Sequence, residues 1–184
     1  DTIEYITIQS TGTAVQDFGN LTNSRSNMGA MCSSTRGIFS GGRAHPAYYN
    51  YIEHITMSTL GNAADFGDLI AVKSAPANGI TSNSIRGIIM GGYSHPAYVN
   101  TIEYVTIPTL GNSIDFGNLS AARGNAAGCA SPTRCVMFGG AEPTVSNTME
   151  YVHIPTTGNA IDFGDMHIQT TGWAAGASNG HGGL

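Results

Sequence analysis

Charge is scarce in this 184-residue chain: charged residues make up 10%, with 7 Lys and Arg against 12 Asp and Glu and a formal net charge of −5. The few cations are scattered, so no basic stripe could track a phosphate backbone, and nucleic acid is not an expected partner. No apolar stretch approaches the roughly 20 residues a helix needs to cross a bilayer, and the start lacks the charged-then-apolar pattern of a signal peptide. No membrane insertion is expected. Three cysteines are too few for a disulfide scaffold. Cys32 (in Met31-Cys32-Ser33) and Cys129 (in Gly128-Cys129-Ala130) read as one small, buried apolar position, while Cys135, close after Cys129, leaves a strained hairpin link conceivable. The six histidines show no metal-ligand spacing and no Gly-x-Ser-x-Gly elbow occurs, so no catalytic residue, metal or cofactor is expected. No run combines helical periodicity with caps, which disfavours leucine-rich, ankyrin and tetratricopeptide solenoids. The chain begins at Asp1 rather than methionine, which suggests a processed or excised piece.

What the chain does have is repetition. The phrase Thr2-Ile3-Glu4-Tyr5-Ile6-Thr7-Ile8 returns as Tyr51-Ile52-Glu53-His54-Ile55-Thr56-Met57, as Thr101-Ile102-Glu103-Tyr104-Val105-Thr106-Ile107 and as Thr148-Met149-Glu150-Tyr151-Val152-His153-Ile154. Its glutamate recurs at 4, 53, 103 and 150, in steps of 49, 50 and 47. A period of this length indicates a propeller, a solenoid or another array of supersecondary units.

The unit from Ala121 to Asp165 shows the internal grammar. A small-residue run, Ala122–Ala130, ends at the turn Ser131-Pro132-Thr133; Arg134–Phe138 is a short apolar run closed by Gly139-Gly140. After a loop, Thr148–Ile154 is the third run, and Pro155–Asn159 turns the chain into Ala160–Asp165. Four short runs divided by turn chemistry are an all-β signature. In the third run Ile102, Tyr104 and Thr106 face one way and Glu103, Val105 and Ile107 the other, so both faces are mostly apolar. A sheet wetted on one side alternates more cleanly, so sheets covered on both faces are expected, as in blades stacked around an axis.

The strand that ends in a glycine pair, Arg36-Gly37-Ile38-Phe39-Ser40-Gly41-Gly42, Arg86-Gly87-Ile88-Ile89-Met90-Gly91-Gly92 and Arg134-Cys135-Val136-Met137-Phe138-Gly139-Gly140, resembles the kelch-type propeller repeat. In that family the paired glycines close the second strand of a four-stranded blade. Tyr5, Tyr104 and Tyr151 stand where kelch repeats carry a tyrosine, with His54 substituting once, whereas Phe18, Phe66, Phe116 and Phe163 stand where a tryptophan is usual. The phrases Asn-Thr-Ile-Glu-Tyr-Val-Thr-Ile and Gly-Asn-Ala-x-Asp-Phe-Gly-Asp-Leu and the tail Ser178–Leu184 are similar to the C-terminal arrays of bacteriophage tail-fibre proteins. These resemblances imply an all-β, kelch-like β-propeller of about 48-residue four-stranded blades, on a virion surface or extracellular. The units divide as a half blade (1–21), three blades (22–70, 71–120, 121–166) and a closing strand with tail (167–184). The first and last pieces are complementary, so a fourth blade shared between them closes the ring, except that it lacks an apolar second strand. The competing arrangement makes these units the last of a longer array.

The tail-fibre likeness implies a non-enzymatic adhesion or receptor-binding module whose partner is a host cell-surface glycan or protein. Its alternative is a structural assembly module contacting other virion or fibre subunits, with homo-oligomers allowed. Candidate ligand residues lie in the insertions after the glycine pairs: His45, Tyr48 and Tyr49 in Arg43–Asn50, and His95 and Tyr98 in Tyr93–Asn100. Aromatic faces stack on sugar C–H surfaces while imidazole and amide groups bond hydroxyls, although a tight turn with its tyrosine packed beneath is the plainer alternative. The third unit carries Ala141–Asn147 instead. Asp17, Asp65, Asp115 and Asp162 lack the further oxygens calcium needs and read as turn-bonding side chains. Glu4, Glu53, Glu103 and Glu150 are expected at inter-blade contacts, paired with Arg36, Arg86 or Arg134. Trp173, with His167 and His181, reads as an end cap or subunit contact.

Overall fold

Short runs cut by Gly, Pro and Asn turns fold as strands throughout: in the computed structural model, which describes residues 1–7, 9, 11, 15–76, 81–141, 144–170 and 175–178, every regular element is β. β1 (Thr2–Tyr5) and β2 (Gln16–Asn20) form a leading antiparallel pair. The next unit holds β3 (Gly29–Cys32), β4 (Arg36–Ser40), a short hairpin of β5 (Arg43–Ala44) and β6 (Ala47–Tyr48), then β7 (Tyr51–Thr56) and β8 (Ala64–Asp68). After it come β9 (Arg86–Met90), the hairpin β10 (Tyr93–Ser94) and β11 (Ala97–Tyr98), β12 (Thr101–Thr106) and β13 (Ile114–Asn118). The last unit holds β14 (Ala127–Ala130), β15 (Arg134–Phe138), β16 (Ser146–His153) and β17 (Ile161–Thr170). Pairing orders are β3-β4-β7-β8, β9-β12-β13 and β14-β15-β16-β17, all antiparallel. In the middle sheet the inner edge is marked by a bridge from Ser82 to Gly87 and by the Ile88 amide on the Thr81 carbonyl at 2.8 Å.

Alternation within each strand feeds two different cores. Ile52 of β7 enters a cluster with Met31, Phe66, Ile89 and Val105, while Ile55 of the same strand packs with Phe18, Leu21 and Ala63. On β9 and β12, Ile89 and Val105 face back to that first cluster, while Ile88, Met90 and Ile102 face forward to Met137, Val152 and Ile154. The β3-β4-β7-β8 and β9-β12-β13 sheets are therefore each the filling between two neighbours, which explains apolar residues on both faces of one strand.

The Asp-Phe-Gly phrase supplies the joint. Between β1 and β2 the register jumps so that Phe18 is the extra residue of a bulge, and Phe66, Phe116 and Phe163 repeat this. A bulge re-aims its extra side chain, and Phe18, Phe66 and Phe116 are buried against the following unit. The glycine after each one lets the next unit's turn come close: a Cβ on Gly19, Gly67 or Gly117 would collide with the carbonyl of Gly61, Gly111 or Gly158. That turn then donates from Gly61, Gly111 and Gly158 to the Phe18, Phe66 and Phe116 carbonyls at 2.7–2.8 Å. Asn62, Asn112 and Asn159 each accept from the preceding strand at 3.0 Å. Among the described residues no turn covers Phe163 in this way, and it is 50% exposed.

One expectation changes. His167–Thr170 does not begin a closing strand but continues β17, with Thr170 opposite Ser146. In the earlier links an amide of the turning segment is captured by the next unit's glutamate; no glutamate follows Glu150 in the sequence. All three cysteines are free: Cys135 pairs across the strands with Ala130 and Cys129 with Val136, so the two thiols face opposite sides of the sheet. Trp173, His181, Glu142, Pro143 and the tail from Asn179 lie outside the described residues.

Candidate functional site

The glycine pairs send the chain out of the sheet. Gly41 and Gly42 have φ of 63° and 105°, Gly91 and Gly92 of 62° and 113°, and Gly139 and Gly140 of 68° and 93°, in the region that favours glycine. The second glycine of the first two pairs donates to the next unit's link, Gly42 to the Lys73 carbonyl at 2.8 Å and Gly92 to Arg123 at 2.9 Å. The base of each hairpin is tied to its own unit's link: Ser26 and Arg43 exchange two backbone bonds, as do Ser74 and Tyr93. The links join one another, with the Ala75 amide on the Asn27 carbonyl at 2.8 Å and the Asn125 amide on Ala75 at 3.0 Å. Asn27, Ala75 and Asn125 occupy one repeat position and share a left-handed φ of 56°, 49° and 54°.

Over this floor the two hairpins enclose a cleft of about 220 Å³ walled by Tyr48, Tyr93, Tyr98, Arg43, Asn27 and Asn125. The rings form a continuous cluster. Tyr48 lies 5.7 Å from Tyr93 and stacks on His95 at 5.7 Å and 17°, and Tyr93 meets Tyr98 edge-on at 5.0 Å. Tyr93 Oη is 3.2 Å from His95 Nδ1, and Asn125 Nδ2 donates to Tyr98 Oη at 3.1 Å. Gly124 is small for the same reason, since a Cβ there would strike the Tyr98 ring. Asn125 Oδ1 is buried without a partner among the described residues, and Arg43 forms no ion pair with any of them.

Of the candidate residues, Tyr48, His95 and Tyr98 come together, and Tyr48 and Tyr98 line the cleft. His45 sits exposed at the tip of the first hairpin, and Tyr49 turns away to stack on Tyr51 at 5.2 Å. Tyr93 and Arg43 were not singled out by the sequence. They are the residues that follow each Gly-Gly, and the difference between them, Arg in one unit and Tyr in the next, was the available signal.

The glutamates do not pair with Arg36, Arg86 or Arg134. Arg25 lies 2.5 Å from Glu53, Lys73 2.7 Å from Glu103 and Arg123 2.5 Å from Glu150, with each side chain no more than 3% exposed. Strand alternation is the reason: Arg36 pairs with Thr56, on the face opposite to Glu53. Arg36 reaches the Ile107 carbonyl and Arg86 the Ile154 carbonyl of the next unit, while Arg86 and Arg134 lie 4.6 and 4.9 Å over the Tyr104 and Tyr151 rings. Burial alone would raise the Glu103 carboxyl; the Lys73 ammonium and bonds from Lys73, Ser113 and the Ile70 amide outweigh it and hold the group below its ordinary value. Glu4, fourth in the series, is exposed. Among the described residues no group of three or more His, Cys, Asp or Glu is placed to hold a metal.

The cleft offers ring faces, one guanidinium and amide and hydroxyl groups, a set suited to stacking on a ligand ring and bonding its hydroxyls. Compared with known proteins, the chain matches no family model and no curated protein sequence.

Proposed function

We propose that the chain is a non-enzymatic adhesion or receptor-binding module of a virion surface, recognising a host cell-surface glycan through the face that carries the two hairpins. The observation that carries this reading is the convergence of Tyr48, Tyr93 and Tyr98 on one cleft beside Arg43. The repeat phrases similar to those of tail-fibre arrays supply the setting. In this reading the sheets are blades of a kelch-like, four-bladed propeller whose closing blade is shared. The trailing residues support the sharing: the Ser178 hydroxyl donates to the Ala130 carbonyl just as the Ser82 hydroxyl donates to Cys32, a contact that the inner strand of a following blade would make.

A glycan array and host-cell binding assay on the purified chain test it. Selective binding should disappear in the Tyr48→Ala, Tyr98→Ala variant while its melting transition persists; binding that survives would refute the hairpin site. A second reading, a fibre assembly module, is favoured by the half-exposed Phe163. It predicts no glycan binding and a defined multimer that Phe163→Asp dissociates.

A further inference from the structure

Every complete sheet sets its Arg-led strand beside its glutamate strand: β4 beside β7, β15 beside β16, and β9 beside β12. β1 is the fourth copy of the glutamate strand, and among the described residues its only strand partner is β2. Among the described residues the edge that would receive a β4-type strand is therefore unmatched, and such an edge is a template for an incoming chain. An apolar groove of about 470 Å³ runs beside it, walled by Ile3, Tyr5, Phe39, Ile55 and Met57. An apolar recess of about 300 Å³ continues it over Ala30 and Cys32 of β3. Met57 is 45% exposed here, whereas its counterparts Ile107 and Ile154 are 1% and 0% exposed. The difference is what a covering strand does.

We propose that this groove seats an extended strand of the Arg-Gly-Ile-Ile-Met-Gly-Gly kind supplied by another polypeptide chain, a binding mode independent of the hairpin face. The three internal copies specify the occupant. In the middle sheet Ile88 and Met90 pair with Tyr104 and Ile102 and enter the core shared with the next sheet; on β1 the matching partners are Tyr5 and Ile3. The leading arginine of the middle copy lies over Tyr104 and reaches the Ile154 carbonyl; on β1 the corresponding targets are the Tyr5 ring and the Met57 carbonyl. The chain's own Arg-led strands are already engaged in their sheets, and Ala175–Ser178 rests on β14. Strand addition to an open edge combines backbone bonds with side-chain pockets and so selects for sequence.

A fluorescein-labelled peptide of the sequence Arg-Gly-Ile-Ile-Met-Gly-Gly, titrated with the full chain, tests this by anisotropy and by amide exchange. Saturable binding is expected, with slowed exchange in Thr2–Tyr5, a raised melting temperature, and affinity weakened roughly tenfold or more when the peptide's first isoleucine is aspartate. Met57→Asp, at an already half-exposed position, should weaken binding similarly while the chain stays folded. Three results overturn the proposal: no saturable binding, equal binding of the aspartate peptide, or β1 amides already as protected in the free chain as those of β12.

Discussion

Four glutamates occupy one repeat position, three buried against a cation and one exposed, so replacing each with alanine is an internally controlled experiment. Glu103 receives Lys73 Nζ at 2.7 Å, Ser113 Oγ at 2.5 Å and the Ile70 amide at 3.0 Å. Glu103→Ala strands the Lys73 ammonium, whose side chain is 1% exposed. Removing one partner of a buried pair costs about 3–5 kcal/mol, a large part of the 5–15 kcal/mol a domain typically holds. For a chain of this size that corresponds to a fall of roughly 6–20 °C in melting temperature. Glu53→Ala and Glu150→Ala should behave alike, because Arg25 and Arg123 are similarly buried. Glu4→Ala should change stability by no more than about 0.5 kcal/mol, as surface substitutions do. Urea titration of the four variants reads the differences. Equal losses at Glu4 and Glu103 would refute the reasoning, since Glu4 would then hold a buried partner of its own; so would a negligible loss at Glu103.

Stability should also fall with acid in two stages. His54 is held below its ordinary 6.5 by burial first and then by Arg36, so its neutral form is favoured on folding and its contribution erodes as pH drops under about 6.5. Glu103, held below its ordinary 4.5, keeps its full contribution above that pH and loses it as pH falls through the lower folded value. Melting curves from pH 8 to 3 should show both losses, with His54→Gln removing the first and Glu103→Gln flattening the second. Gly91→Ala places a Cβ against the Arg123 carbonyl at a φ of 62°, costing about 1–3 kcal/mol; an unchanged urea midpoint would contradict the close approach. Cys135 is fully buried and its thiol is pushed far up by burial, so a thiol reagent at pH 8 should leave it unlabelled until the chain unfolds.

The strand order was legible because one local phrase carries both an edge to pair and two faces to bury: the period of Glu4, Glu53, Glu103 and Glu150 located β1, β7, β12 and β16. The same alternation should have kept Arg36, Arg86 and Arg134 off the glutamates, since a residue paired with Thr56 cannot share the face of Glu53. Their true partners were visible only as a second periodic series, Arg25, Lys73 and Arg123, which looks like scattered charge until the fold brings each link under the following strand. Asp-Phe-Gly read as a turn, yet its phenylalanine is the extra residue of a bulge, and Phe18, Phe66 and Phe116 are buried where the next unit's Gly-Asn turn closes over that bulge. The candidate ligand loop was half legible. Tyr48 and Tyr98 were recognisable from their repeated setting, but Tyr93 and Arg43 matter only because two hairpins from different units lean over one floor.

The most direct test of the hairpin-face account is an NMR titration of the purified chain, labelled on its tyrosine rings, with the glycan selected by the array. Shifts confined to Tyr48, Tyr93 and Tyr98 are predicted, with Tyr5, Tyr104 and Tyr151, which pack edge-on against Phe18, Phe116 and Phe163, left unchanged. Shifts centred on those three inter-strand rings, with none at the cleft, would contradict the account.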